Sequence, residues 1–335
     1  MKHIIQASLI TTFRCNAHCN MCNIWKYPNN PKDELEARYY EKLPSGLRIN
    51  ITGGEPTLRE DLEDIFKILY HKANLLELST NGYNTDKIIS IAEKFPNILI
   101  RVSLEGLPAI NDTKRGIKDG FDHALRTMLE LKKTKCKNIG FSVIISPDNF
   151  EDLVHLYVLS SYLNVELGNS VVHNSWYFHK EDNKISSVEA LVEHEQFILA
   201  LLTSKRNGLK NRLKDYGRAY FNKSIHQRLR GDPTGYRPQC GALNDFFFID
   251  PYGNVSPCNG SKEEWIIGNI KEKSFNDIMN SENAKKLRQN VINCERNCAF
   301  IVTERHDMLR RPWVPIKWIL TNKIRIITGK RIQIS

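Results

Sequence analysis

Three thiols fall within a single eight-residue stretch, Cys15-Asn16-Ala17-His18-Cys19-Asn20-Met21-Cys22, in the spacing C-x3-C-x2-C. Thiolates so close together suit one soft metal centre better than a pair of disulfides. Three ligands leave one iron of an iron–sulfur cube without a protein ligand, and that iron is open to a substrate or cofactor. A structural zinc knot is the alternative, but only His18 stands near enough to be a fourth ligand, wedged awkwardly between two of the cysteines. A second group of cysteines, Cys240, Cys258, Cys294 and Cys298, lies far down the chain. Four thiols can close a single metal centre, such as a four-cysteine zinc site. Cys136 belongs to neither group and reads as a buried, incidental thiol.

The elements that position these thiols follow from alternating runs. Strand-like segments occur at Gln6–Phe13, Leu47–Thr52, Leu75–Thr80, Ile98–Leu104, Ile139–Ser146 and Val165–His173. Between them, Leu62, Ile65, Phe66 and Leu69, and then Ala124, Leu125, Met128 and Leu129, take the apolar spacing of helices packed on a sheet. Asn149 and Asp152 are placed to cap the helix that carries Leu153, Leu156 and Leu159. Six βα repeats imply parallel strands, too few to close an eight-fold barrel, so the expected fold is α/β, an open partial (β/α)6 TIM-like barrel. Such folds put chemistry at the C-terminal ends of their strands. There lie the cysteine loop, Gly53-Gly54-Glu55-Pro56, Asn81-Gly82 and Ser103-Leu104-Glu105-Gly106. Successive glycines let backbone approach a ligand closely, and a neighbouring carboxylate can pair with an ammonium.

Beyond the barrel, Ser186-Ser187-Val188-Glu189 reads as a capping box for a helix running through Leu202, and Leu213–Arg230 as a basic helix. Gly231-Asp232-Pro233-Thr234-Gly235 is a turn-rich break. A β-hairpin turning at Pro251-Tyr252-Gly253-Asn254 lies between Cys240 and Cys258. The expected division is a barrel over 1–180, a helical linker over 181–235, a small α+β metal domain over 236–300 and a basic tail over 301–335.

The 335 residues are 41% hydrophobic and 26% charged, as in ordinary globular proteins. There is no signal-peptide pattern and no long apolar run, and the cysteines are too sparse for a disulfide scaffold, so a cytoplasmic protein is expected. The formal charge is +10. The tail from Ile301 onward supplies much of it, with eight basic residues against Glu304 and Asp307. Such a tail suits phosphate groups or an acidic membrane surface, or is simply solvated; nucleic acid is not expected as a partner.

Together the cysteine loop and Gly53–Pro56 resemble the radical S-adenosylmethionine (SAM) superfamily, and residues 240–298 resemble its C-terminal SPASM/twitch extension. The resemblance implies a [4Fe–4S] cluster on Cys15, Cys19 and Cys22, with SAM chelated to its open iron. It implies that Gly53, Gly54, Glu55 and Pro56 hold the SAM amino group, and that Ser103 helps hold its carboxylate or ribose. Glu105 then faces SAM or substrate, and Asn81 is either a cofactor contact or part of a tight turn. Arg115-Gly116 is similar to a recurrent Arg-Gly pair, though a surface arginine is the plainer reading. The extension implies one auxiliary [4Fe–4S] cluster on Cys240, Cys258, Cys294 and Cys298, acting as an electron relay, and a flavodoxin- or ferredoxin-type reductant. The expected substrate is a small molecule, a sugar, cyclitol or nucleotide-linked sugar, which could be phosphorylated or lipid-linked. A SPASM-type peptide maturase or radical epimerase is the alternative, with the maturase disfavoured because the barrel begins within the first ten residues and leaves no room for a leader-binding domain. A zinc-bound nucleic-acid module is the alternative of another class.

Overall fold

Short β-branched runs between amphipathic stretches do build parallel strands with helical crossovers. The computed structural model describes residues 6–183, 190–231, 238–294, 296 and 298–334. All six expected strands are present: β1 (Gln6–Ile10), β2 (Arg48–Thr52), β3 (Leu75–Thr80), β4 (Leu99–Ser103), β5 (Asn138–Ile145) and β6 (Glu166–Val171). Helices α1 (Leu62–Tyr70), α2 (Thr85–Lys94), α3 (Pro108–Arg115), α4 (Gly120–Lys133) and α5 (Leu153–Tyr162) lie between them. The apolar spacing is used as expected: Leu62, Ile65, Phe66 and Leu69 of α1 are buried, as are Ala124 and Met128 of α4.

Two local expectations fail for physical reasons. The crossover from β1 to β2 holds no α-helix; it is made of 3-10 turns at Ile24–Lys26, Pro31–Asp33 and Ala37–Lys42. Asn149 does not cap α5 with its side chain. Its Oδ1 accepts from Ser146 N–H and its amide donates to the Ile144 carbonyl, so it closes the end of β5 instead.

The chain divides into two compact units that interleave along the sequence. The first comprises Met1–Ser142, His173–Asn183 and Cys240–Glu295; the second comprises Val143–Val172, Lys184–Gln239 and Arg296–Ser335. The consecutive segments expected at 1–180, 181–235, 236–300 and 301–335 therefore do not coincide with the compact units. The reason is a strand pairing. The hairpin β7 (Phe246–Ile249) and β8 (Asn254–Ser256) forms around the expected turn, and β7 pairs in parallel with β1, Gln6 opposite Phe246. In the first unit the strands run in the order β5-β4-β3-β2-β1-β7-β8, and then β9 (Gly268–Asn269). Strands β1 to β5 and β7 are parallel, while β8 and β9 are antiparallel to their neighbours. Strand β1, covered on both faces and paired on both edges, is buried throughout. Helices α8 (Phe275–Asn280) and α9 (Glu282–Ile292) complete this unit.

The second unit holds the end of β5, α5, β6, α6 (Leu191–Leu202), α7 (Leu209–Leu229), α10 (Ile301–Arg310) and α11 (Trp313–Ile327). Helix α7 packs on α6, and α11 lies against both. The expected basic tail is thus two helices, neither of them long and apolar enough to cross a membrane. The capping box at Ser186–Glu189 and the turn residues Asp232–Gly235 fall outside the described residues.

Buried polar groups register this unit. The Asp215 carboxylate accepts from Arg206, Arg218, Tyr157 and Ser204, and both Asp215 and Arg206 are almost wholly withdrawn from solvent. Removing one member of such a set leaves the others buried and unpaired, which costs about 3 kcal/mol or more. Asp215→Ala should therefore lower the unfolding free energy by about 3 kcal/mol in urea titration; a change below about 0.5 kcal/mol would show that the set contributes little.

Candidate functional site

Residues that could hold the first metal centre sit on the loop leaving β1, at the C-terminal rim of the parallel strands. Cys15 and Cys22 are half-buried and Cys19 is buried. Cys15 and Cys22 pack against an apolar cluster of Ile10, Phe13, Ile24 and Tyr177, with Trp176, Phe178 and Phe248 beside it. Burial pushes the Cys15 and Cys22 thiols up to about 12 and raises Cys19 as well, with the Arg115 guanidinium pulling down on all three. Without a metal these thiols hold their protons at neutral pH; a bound iron centre is what makes thiolates of them.

The loop is clamped from below. Thr12 Oγ1 donates to Glu34 at 2.6 Å, Phe13 N–H donates to Asn29 Oδ1 at 2.6 Å, and Arg14 forms a two-point ion pair with Glu34. Arg59, fully buried, donates to the Thr11 and Leu35 carbonyls and pairs with Asp61. From the side, the last carbonyls of α3 receive the loop: His18 N–H donates to Arg115 O and Asn20 N–H to Lys114 O. Gly116 closes α3 in the left-handed region at φ 57°, and a Cβ there would lie 2.6 Å from the His18 carbonyl oxygen. Trp25 donates its indole N–H to the Cys22 carbonyl at 3.0 Å and stacks near His18.

Gly53 and Gly54 also serve the packing of the rim loops. A Cβ at Gly53 would stand 2.5 Å from the Thr12 carbonyl oxygen, and one at Gly54 would stand 2.2 Å from that of Arg14. The glycines let the second rim loop lie against the backbone of the cysteine loop, with Gly54 N–H donating to Thr12 O and Glu55 N–H to Arg14 O. Glu55 is almost fully buried. Its Oε1 accepts from Thr57 N–H, Thr57 Oγ1 and Thr80 Oγ1, and its Oε2 accepts from Asn81 N–H at 2.7 Å. Asn81 in turn donates its side-chain amide to Asn16 Oδ1 at 2.7 Å and accepts from Tyr83 N–H, so it is both a turn residue and a tie to the cysteine loop. Pro56 opens a 3-10 turn over Pro56–Leu58.

Ser103 ends β4, half-buried, opposite Ser142. Glu105 is fully buried and ion-paired to Arg115 at 3.2 Å. Arg115 is the last residue of α3 and is nearly enclosed, which corrects the surface arginine expected from the sequence. Burial opposes its charge, but Cys19, Glu105, Cys15 and Glu55 hold its pKa above the ordinary value. A cube carrying three thiolates is anionic, and a buried guanidinium beside it is the fitting counter-charge.

Within the same unit, the segment 173–183, to which the sequence assigned no role at the site, covers the cysteine loop. Asn23 N–H donates to Phe178 O, the Asn23 amide to His179 O, and the Asn183 amide to Met21 O. Ser175 Oγ donates to Asn259 O, Tyr177 hydrogen-bonds Ser256, and Asn259 hydrogen-bonds His173. The cover thus joins the first cysteine loop to the chain around Cys258. The signal available in the sequence was its density of aromatic residues, Trp176-Tyr177-Phe178.

Of the second cysteine group, Cys240, Cys258 and Cys294 belong to the first unit and Cys298 to the second. Burial pushes Cys258 up to about 11, with Cys240 and Cys294 near enough to raise it further and Ser261 hydrogen-bonded to it. Among the described residues, no group of three or more His, Cys, Asp or Glu is gathered as for a single metal ion. Cys136 is buried before β5, at the opposite rim, donating to the Ile98 carbonyl.

Known proteins resemble this chain in sequence and in fold. Residues 9–159 match the radical SAM superfamily model, and residues 240–299 match the SPASM iron–sulfur cluster-binding domain. The two iron–sulfur assignments replace the zinc alternatives. The mycofactocin maturase MftC of Mycolicibacterium smegmatis is 24% identical over 293 residues, covering 83% of this chain and 71% of that protein. Fe-coproporphyrin III synthase of Methanosarcina barkeri is 30% identical over 157 residues, covering 44% of this chain and 39% of its own length. The structure of Streptococcus suis SuiB bound to precursor peptide SuiA is similar in fold, with a TM-score of 0.60 at 16% identity, covering 84% of this chain and 66% of SuiB. This chain spans only part of each of these proteins.

Gly54→Ala should drive a methyl into the Arg14 carbonyl and unseat the cysteine loop. A loss of about 2 kcal/mol in stability and a lower iron content after anaerobic reconstitution are expected; wild-type iron and stability together would show that the loop contact is slack.

Proposed function

Since the chain belongs to the radical SAM superfamily and carries a SPASM iron–sulfur domain, we propose that it is a peptide maturase. Its cofactors are a [4Fe–4S] cluster with SAM, and auxiliary iron–sulfur. The observation that carries the substrate class is the extent of the likeness. MftC aligns over 83% of this chain, whereas the coproporphyrin synthase aligns over 44%. The expectation of a sugar, cyclitol or other small-molecule substrate gives way to a peptide on that ground.

When bound, the cluster and SAM supply a deoxyadenosyl radical that removes hydrogen from an unactivated carbon. Cys15, Cys19 and Cys22 hold the first cluster, and Arg115 balances its charge. Gly53 to Pro56, Asn81 and Ser103 form the lip at which SAM is held, while Glu55 and Glu105 fix that lip and the guanidinium. Trp176, Tyr177 and Phe178 keep water from the cysteine loop. Cys240, Cys258, Cys294 and Cys298 would hold one auxiliary cluster; saturated by four thiols, it would serve to accept the electron from the substrate radical, which favours a net oxidation. A flavodoxin or ferredoxin would supply the reducing electron that this chemistry needs.

The test is reconstituted enzyme with SAM and dithionite, given synthetic precursor peptides encoded beside its gene or, in parallel, free cyclitols and nucleotide sugars. Peptide-dependent deoxyadenosine and a peptide product lacking two hydrogens are expected; turnover of the sugars alone would overturn the substrate class. Cys19→Ala should abolish deoxyadenosine formation. Cys258→Ala combined with Cys294→Ala should still cleave SAM slowly but leave the peptide unchanged, and normal product from that double variant would exclude the relay.

A further inference from the structure

Helix α11 is amphipathic in the reverse sense from a helix that closes a core. Trp313, Ile316, Leu320, Ile324 and Ile327 recur at three- and four-residue steps along one face, and they are 64%, 54%, 58%, 62% and 83% exposed. The face turned toward the rest of the second unit is polar at its centre. Asn322 is fully buried there, donating to the Trp318 and Gln333 carbonyls and accepting from Gln333 N–H. Trp318 also donates to the Gln333 carbonyl, and Ile332 and Ile334 are buried. Trp318 lies edge-on to Tyr220 and Lys323 over Tyr216, both on α7, and Arg331 pairs with Glu195 on α6, so rolling α11 to hide the apolar stripe would break the contacts that hold its outward orientation.

Charge decides what can cover the stripe. From Met308 to Ile334 there are seven basic residues and no acidic one. Arg311 is paired with Asp307 and Arg331 with Glu195, while Lys317 and Lys330 are exposed. Lys317 and Lys323 lie on opposite flanks of the stripe by helical angle, and Lys323 is poised over the Tyr216 ring. A second copy of this helix would bring cations against cations. A surface that is apolar beneath and anionic above matches both features at once. We propose that α11 is an interfacial helix that lies in the headgroup plane of an anionic bilayer, with Trp313 and the isoleucines in the acyl boundary and the lysines at the phosphates. This goes beyond the peptide-maturase reading and does not depend on it.

The experiment is flotation of the full chain, reconstituted with its clusters, on vesicles of phosphatidylcholine alone and of phosphatidylcholine with an equal amount of phosphatidylglycerol. Wild-type protein should float with the anionic vesicles only, and less as salt is raised. Leu320→Asp with Ile324→Asp should abolish flotation. Leu320→Ala with Ile324→Ala, truncations at exposed positions that leave the melting temperature unchanged, should weaken it at least tenfold. Lys317→Ala and Lys330→Ala should each reduce partitioning by about fivefold. Flotation by none of the proteins, or equally by wild type and the Leu320/Ile324 variants, overturns the proposal. So does a wild-type dimer that the Leu320→Asp change dissociates without any vesicle binding, which would assign the stripe to a second copy.

Discussion

A single carboxylate holds the rim together. Glu55 brings the loop after β2 into register with the loop after β3 by accepting from Thr57, Thr80 and Asn81, and Asn81 carries the constraint onward to Asn16 between the cysteines. Four donors converge on a group withdrawn from water, a geometry that is costly to leave half made. The cysteine loop therefore does not rest on its own short backbone. It is fixed by its neighbours, as it must be if three thiols are to meet one cluster.

A second constraint is electrostatic. Glu105 and Arg115 are enclosed together beside the thiols, and each needs the other to tolerate burial. The charge that iron–sulfur binding brings to this pocket is already answered by α3, whose terminal carbonyls also take the loop's N–H groups. The buried guanidinium and the attachment of the loop thus come from the same helix end. A substitution at Arg115 would disturb both, through the guanidinium and through the seating of His18.

The strands, the cysteine loop and the hairpin were legible in the sequence because each rests on a local pattern: period-two runs, thiol spacing, a Pro-Tyr-Gly-Asn turn. What could not be read was set by distant partners. Gly53 and Gly54 carry no mark telling that they lie against the backbone of Thr12 and Arg14. Arg115 looks like any helix-terminal arginine until Glu105, ten residues earlier, is found enclosed with it. Asn149 matches a capping pattern, yet the end of β5 has the stronger claim on its amide. The cover formed by residues 173–183 is not marked in the sequence, because aromatic density alone does not say what lies beneath it. The interleaving of the two units is of the same kind, since it follows from β7 choosing β1.

That pairing bears on biosynthesis. Gln6 and Phe246 are 240 positions apart in the register they share. While the chain is emerging from the ribosome, β1 can find β2 early but must wait for some 240 residues before its other edge is covered. An apolar edge strand carrying a reactive cysteine loop at its end is therefore displayed for most of translation. A nascent chain stalled before residue 246 would present both a bare edge and three unprotected thiols.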